Sequence, residues 1–302
     1  MKRTEIQVPS TDGRTTLHGY RWEPEGEIIG VVQLVHGMEE YIFRYDGLAE
    51  YLTGQGFAVI GHDHLGHGGS IVSEEDLGFF AEKNGYECIL TDMHRMTLLA
   101  KKTWPDKPVF MIAHSMGSFF ARRYITLYPN ELTGLVLSGT GFQPYLLVHV
   151  GKRMARLVGT VKGHKYRSPL LQKLALGSYG TLEEWLCTRP EIVEAYKADP
   201  LCGQPFTAWA FKDFFKLLEV LALDKGKDNI PKDFPILLVA GMKDPVGDCS
   251  KGVLKVYNRY RKLGLKDVDC IFYKDDMHEI FNEYDREDVY ADLRRFLTAH
   301  MK

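Results

Sequence analysis

The sequence predicts an α/β fold, with a mostly parallel central sheet, helices on both faces and a helical insertion over one end of the sheet. Two observations predict it. Short β-branched apolar runs alternate with stretches of helical apolar spacing, the pattern of parallel strands joined by crossover helices. That alternation breaks at about residue 142 and resumes near residue 232. The expected organisation is a core of residues 1–141 and 232–302, interrupted by a helical lid at 142–231.

Near the N-terminus, "EIQVPSTDGRTTLHGYRW" holds two alternating runs around Asp12-Gly13, which reads as an antiparallel hairpin at the sheet edge. "IGVVQLVHG" is a buried strand ending near His36, and "RYDGLAEYLTGQG" is a helix stopped at Gly56. "FAVIGHD" is the next strand and "ECILTDMHRMTLLAKKTW" a long amphipathic helix. "PVFMIAH" is a third buried strand, leading into the helix "SMGSFFARRYITLYP", and "LTGLVLSGT" is a fourth strand. The interrupting block contains the helical stretches "GKRMARLVGTV", "TLEEWLCTRPEIVEAYKA" and "FTAWAFKDFFKLLEVLALD", with no convincing buried strand. Alternation returns with the strand "FPILLVAG", the helix "SKGVLKVYNRYRKLG", the strand "DVDCIFYKD" and the closing helix "EDVYADLRRFLTAHM".

Bulk properties narrow the class. In 302 residues, 45% hydrophobic and 26% charged content is that of an ordinary globular protein, long enough for one large core. A net charge of −2 gives no global field to recruit nucleic acid. The opening "MKRTEIQVPS" lacks an apolar h-region and no apolar run is long enough to span a bilayer. The five cysteines, Cys88, Cys187, Cys202, Cys249 and Cys270, are odd in number and form no CxxC pair, which suits reduced thiols. The expectation is a cytoplasmic protein.

The chemistry centres on Ala113-His114-Ser115-Met116-Gly117, where a strand turns sharply into a helix. Acyl transfer needs a hydroxyl exposed on such a turn, with small residues two positions before and after it. The usual pattern is G-x-S-x-G, and alanine stands here at the first small position. These five residues leave two readings open: Ser115 is a nucleophile, or it caps the helix. The partners expected on this template follow the serine in the order acid, then histidine, each just beyond a strand end. Asp244 follows "FPILLVAG", with Asp248, Asp275 and Asp276 as competing acids, and His278 follows the last predicted strand. An oxyanion needs preorganised donors. The N–H groups of Met116 and of Met38, beyond the His36-Gly37 bend, are the candidates.

Together "HGMEEYIFRYDGLAEYL", "GHDHLGHGGS", "AHSMGS", "GMKDPVGD" and "MHEIFNE" resemble α/β-hydrolases of the monoacylglycerol-lipase and lysophospholipase-like type, which are grouped with serine aminopeptidases. The resemblance spans nearly the whole chain, and "VEAYKADPLCGQPFT" is similar to the lid of bacterial members. It implies Ser115 as nucleophile, His278 as base, Asp244 as acid, and Met38 and Met116 as oxyanion donors, with no metal or organic cofactor. Asp63 to Gly68 matches a D-x-x-G-H-G loop whose role in the family is mainly structural. The implied substrate is a lipid-like or medium-chain carboxylic ester, with a prolyl-aminopeptidase-type peptidase as the alternative.

Two further readings compete. His62, His64 and His67 approximate the H-x-H-x-D-H zinc spacing, although Gly66 stands where an aspartate is expected. A non-catalytic binding relative is the other, since fold alone does not fix function. Aromatic and apolar residues of the insertion, Phe142, Tyr145, Leu146, Leu147, Phe206, Trp209, Phe211, Phe214 and Phe215, are expected either to line an acyl pocket or to form the lid's own core. The basic stretch "GKRMARLVGTVKGHKYRSPLLQK" is either a solvated face or an attraction for a phosphorylated head group or a transient membrane contact.

Overall fold

The structure is a computed structural model and describes residues 1–301. One eight-stranded sheet runs through it in the order β1-β2-β4-β3-β5-β6-β7-β8. The edge hairpin pairs β1 (Lys2–Pro9) with β2 (Thr16–Glu23), and β2 joins β4 (Phe57–His62) antiparallel. From β4 onward every pairing is parallel, through β3 (Gly30–Val35), β5 (Val109–His114), β6 (Gly134–Ser138), β7 (Ile236–Gly241) and β8 (Val268–Tyr273). The strands from β3 to β7 are buried on both faces, which is why their sequences read as unbroken apolar runs rather than alternating ones.

Helices cover both faces. On one face pack α1 (Asp46–Gly54) and α10 (Arg286–Ala299), through Leu48, Leu52, Leu293 and Leu297. On the other pack α2 (Gly85–Thr103), α3 (Met116–Leu127) and α9 (Lys251–Lys262), through Met93, Phe120 and Val256.

Five helices lie between β6 and β7: α4 (Tyr145–Lys162), α5 (Pro169–Leu176), α6 (Leu182–Trp185), α7 (Pro190–Ala198) and α8 (Ala208–Ala222). Here α8 packs inward on α3, with Phe119 against Phe214, and α4 lies across its outer side. Gly151 and Gly159 let α4 sit close, since a Cβ on either would press on Phe215 or Trp209. The stretch 181–198, expected as continuous helix, is two helices. Helix α6 ends at Trp185, and Pro190, which disfavours a helical residue before it, leaves Arg189 extended and starts α7.

Candidate active site

The site is built at the carboxyl ends of the parallel strands. Ser115 sits between β5 and α3 with φ +49° and ψ −121°, a strained conformation for a residue with a Cβ. The turn is anchored by Ser115 N–H donating to the Ser138 carbonyl at 2.9 Å and by the Ser118 hydroxyl donating to the Ser115 carbonyl at 2.6 Å. Gly117 is required by packing, because a Cβ there would lie 2.5 Å from the His36 carbonyl oxygen. The helix-cap reading of Ser115 fails: its hydroxyl makes no capping bond. It meets His278 Nε2 instead, at 2.8 Å.

His278 lies in the loop between β8 and α10, fully enclosed. Its Nδ1 is 3.0 Å from Asp244 Oδ2, close enough for an ion pair but without the alignment of an ordinary hydrogen bond. Such contacts are often loose in unliganded enzymes and tighten when the imidazole charges. Burial lowers the His278 pKa, but the Asp244 carboxylate outweighs it and holds the imidazole above its ordinary value. Asp244 itself is fully buried three residues beyond β7, its Oδ1 accepting from Val246 N–H at 2.8 Å. The competing acids are elsewhere: Asp248 and Asp275 are exposed, and buried Asp276 faces Asp285 and Glu283.

The loop after β3 carries Met38 on the other side of Ser115. A Cβ on Gly37 would lie 3.0 Å from the Ser115 Cβ, so the two turns touch. Among the described residues neither the Met38 nor the Met116 N–H donates to a protein acceptor, which leaves both free for an oxyanion. The Asp63 carboxylate braces this loop, accepting from Ile42 N–H and Gly69 N–H, each at 2.8 Å. The D-x-x-G-H-G segment is therefore a support beneath the loop.

Its histidines do not form a metal centre. His62, His64 and His67 pack edge to face under the loop, and no group of three or more His, Cys, Asp or Glu converges as ligands among the described residues. Burial pushes His62 and His67 down to about 4, so both are neutral imidazoles in the core.

Beside the triad lies a network that motif reading does not reveal. Arg44 donates to Glu40 at 2.7 Å and, bidentately, to Glu279 at 2.6 and 2.7 Å. Glu40 also accepts from Gly37 N–H at 2.6 Å and from the Tyr45 hydroxyl at 2.7 Å, which ties the oxyanion loop to the residue after His278. The Glu40 and Arg44 pair is legible as an i,i+4 spacing, but Glu279 is 235 residues from Arg44 and joins only through the fold.

A cavity of about 500 Å³ opens onto Ser115 and His278. Its wall is mainly apolar, with Phe119, Met154, Leu147, Phe214, Phe215 and Leu218, and includes a polar group in which Gln172 and Tyr196 are bonded to Glu39. Of the insertion residues expected at an acyl pocket, only Leu147, Phe214 and Phe215 reach it. Phe206 and Phe211 are fully buried in the core. Trp209 stacks on His164, Phe142 lies under Arg259, and Tyr145 and Leu146 face solvent.

This fold with a serine, histidine and aspartate at its strand ends defines an α/β-hydrolase. The model of the family described as serine aminopeptidase, S33, matches residues 26–285, and the chain belongs to that family. It is 30% identical to a monoacylglycerol lipase of Mycolicibacterium smegmatis over 93% of this chain and 92% of that one. It is 27% identical to the human monoglyceride lipase, over 83% of this chain and 79% of that one. A crystal structure of a thermostable carboxyl esterase from Bacillus coagulans, in complex with glycerol, superposes with a TM-score of 0.92, at 26% identity and full coverage of both chains. The protein is an ester-hydrolysing enzyme of the monoacylglycerol-lipase-like type.

Proposed function

We propose that the enzyme hydrolyses carboxylic esters of lipid-like or medium-chain acids through a Ser115–His278–Asp244 triad. The observation that carries this reading is the Ser115 Oγ to His278 Nε2 contact of 2.8 Å at the mouth of a mainly apolar cavity. His278 Nε2 takes the Ser115 proton as Oγ attacks the ester carbonyl, while Asp244 stabilises the imidazolium that forms. The Met38 and Met116 N–H groups hold the oxyanion, and donors of that kind contribute about 3 kcal/mol each. His278 then gives its proton to the leaving alcohol, and afterwards activates the water that releases the acid. The Phe119, Phe214 and Leu218 wall takes the acyl chain.

We read residues 142–231 as the lid over this cavity. Its outer face presents Leu146, Leu157, Val161 and Leu170 to solvent, beside exposed Arg153, Arg156 and Lys173. An apolar surface rimmed by cations suits brief contact with an anionic lipid surface during substrate uptake. No helix is long and apolar enough to cross a membrane among the described residues.

A fluorophosphonate probe is expected to label the wild type and not Ser115→Ala, with hydrolysis in the variant lower by roughly 10⁴-fold or more. Labelling that persists in the variant overturns the assignment of the nucleophile. Nitrophenyl esters of graded length, monoacylglycerols, lysophospholipids and prolyl amides then separate the substrate classes. A preference for prolyl amides replaces the esterase reading with the peptidase one.

A further inference from the structure

The cavity wall carries a carboxyl group that the mechanism above does not use. Glu39 follows Met38 in the oxyanion loop, with φ +57°, in the left-handed region that favours glycine. Its backbone is held from the insertion, with the carbonyl accepting from Gly203 N–H and from the Tyr196 hydroxyl, each at 2.9 Å. The carboxylate lines the cavity and accepts from Gln172 Nε2 at 2.7 Å, a neutral partner.

No cation compensates it. The charged and titratable groups around it are Glu40 and Arg44 on its own loop, Tyr196 on α7 with Cys202 beyond it, and His278 and Glu279 on the triad loop. Arg44 is already held by Glu40 and Glu279, and His278 by Asp244. The one guanidinium near this end of the cavity is thus taken up by Glu40 and Glu279, and Glu39 is left without a cation. Burial pushes the Glu39 carboxyl up to about 7, so it carries its charge only on the alkaline side of neutrality. Charged, and next to a donor for the oxyanion, it opposes the negative transition state unless the substrate brings a positive charge.

Resting on the esterase reading, we propose that this polar wall recognises the alcohol portion of the ester and that its substrates include esters of ammonium-bearing alcohols. Glu39 is then a specificity-determining residue. The basic residues that suggested a phosphorylated head group do not reach this wall: Lys152 pairs with Glu219 and Lys165 with Asp76, while Arg153 and Arg156 face solvent. A phosphate placed here would meet the carboxylates instead.

The test compares medium-chain acyl esters of choline, of 3,3-dimethylbutanol (the same shape with carbon in place of the charged nitrogen) and of 2-phosphoethanol. Near pH 8.5 the kcat/KM ratio of choline to dimethylbutyl ester is expected to be about tenfold, with the phosphate ester poorest. The ratio falls towards about one near pH 6 as Glu39 takes up a proton, because the His278 titration is common to both esters and cancels. In Glu39→Gln it is about one at both pH values. A wild-type ratio of one at the higher pH, or a ratio that Glu39→Gln leaves unchanged, overturns the proposal. If Glu39→Gln does not fold, inhibition of wild-type nitrophenyl-ester hydrolysis decides: choline must inhibit at about tenfold lower concentration than 3,3-dimethylbutanol, and equal inhibition overturns the proposal. Failure on every ester, nitrophenyl esters included, overturns the esterase reading itself; hydrolysis of the dimethylbutyl ester without a choline preference overturns only the Glu39 assignment.

Discussion

The two halves of the insertion differ in how they are attached. Residues 145–176 form helices α4, which rests on α8, and α5, and both show leucines or valines to solvent. Residues 182–203 are bonded directly to the loop that carries His278. The Trp185 and Leu186 carbonyls accept from His278 N–H at 3.1 Å and from Glu279 N–H at 2.8 Å. The Glu283 carboxylate accepts from Thr188 N–H on one side and Met277 N–H, at 3.0 Å, on the other. The Trp185 ring lies 5.3 Å from the imidazole, between centroids. The insertion thus combines an outer cover, anchored to the start of α8 where the His164 and Tyr166 carbonyls accept from Trp209 N–H and Ala208 N–H, with an inner strap bonded directly to the His278 loop. Under the proposed mechanism, the cover would admit substrate and the strap would hold His278 in position.

Substitutions in the strap, the cover and the sheet beneath them test this contrast. The largest effect is expected where the His278 loop rests on the sheet. A Cβ at Gly241 would lie 2.2 Å from the Met277 carbonyl oxygen, and backbone cannot step aside as a side chain can. Gly241→Ala is therefore expected to lower kcat by about 100-fold by shifting the base by a fraction of an ångström to an ångström. Steady-state kinetics on a soluble nitrophenyl ester checks this, and an unchanged kcat shows that the loop is not held by that contact.

Glu283→Gln tests the strap. It keeps the shape but replaces charge-assisted bonds with neutral ones, so kcat should fall by about tenfold with KM for a soluble ester within about twofold. A change in KM alone would place the strap in substrate binding. On the cover, the double substitution Leu146→Ser with Leu157→Ser should reduce turnover of substrate in anionic vesicles by several-fold, while a soluble ester changes by less than about twofold. Equal losses on both would remove the division between cover and strap.

The smallest effect concerns pH. In the proposed mechanism His278 works as a base only when neutral, and Asp244 holds its pKa above the ordinary 6.5 against the opposing effect of burial. Activity on a neutral ester is therefore lost as pH falls through a midpoint above 6.5. The cover variants should leave that midpoint where it is. Asp244→Asn should move it down, since burial then acts without an opposing carboxylate.

Much of the site was legible because its signals are local. Ser115 stands at a strand-to-helix junction with Gly117 two residues on, and Asp244 and His278 each follow a strand whose apolar run is visible. The hairpin, the parallel strands and the helices of the core could be read for the same reason. The contacts that bind distant segments were not legible. Nothing in the sequence pairs Arg44 with Glu279, Thr188 with Glu283, or Glu39 with Gln172. The acyl pocket was drawn too widely, since helical spacing shows that Phe206 and Phe211 are apolar but not which neighbour they face.

The sequence by itself determined the order of strands and helices, the interruption after residue 141, and the chemical identity of the three residues at the strand ends. Hydrophobic period and turn chemistry are properties of neighbouring residues, so they survive in one dimension. Only the tertiary structure decided that His278 meets Ser115 while the ten other histidines are buried or paired with carboxylates, and that one stretch of the insertion is a strap and another a cover. It also set the balance of charge at the polar wall, because the cost of a buried carboxyl depends on which groups the fold brings within a few ångströms of it.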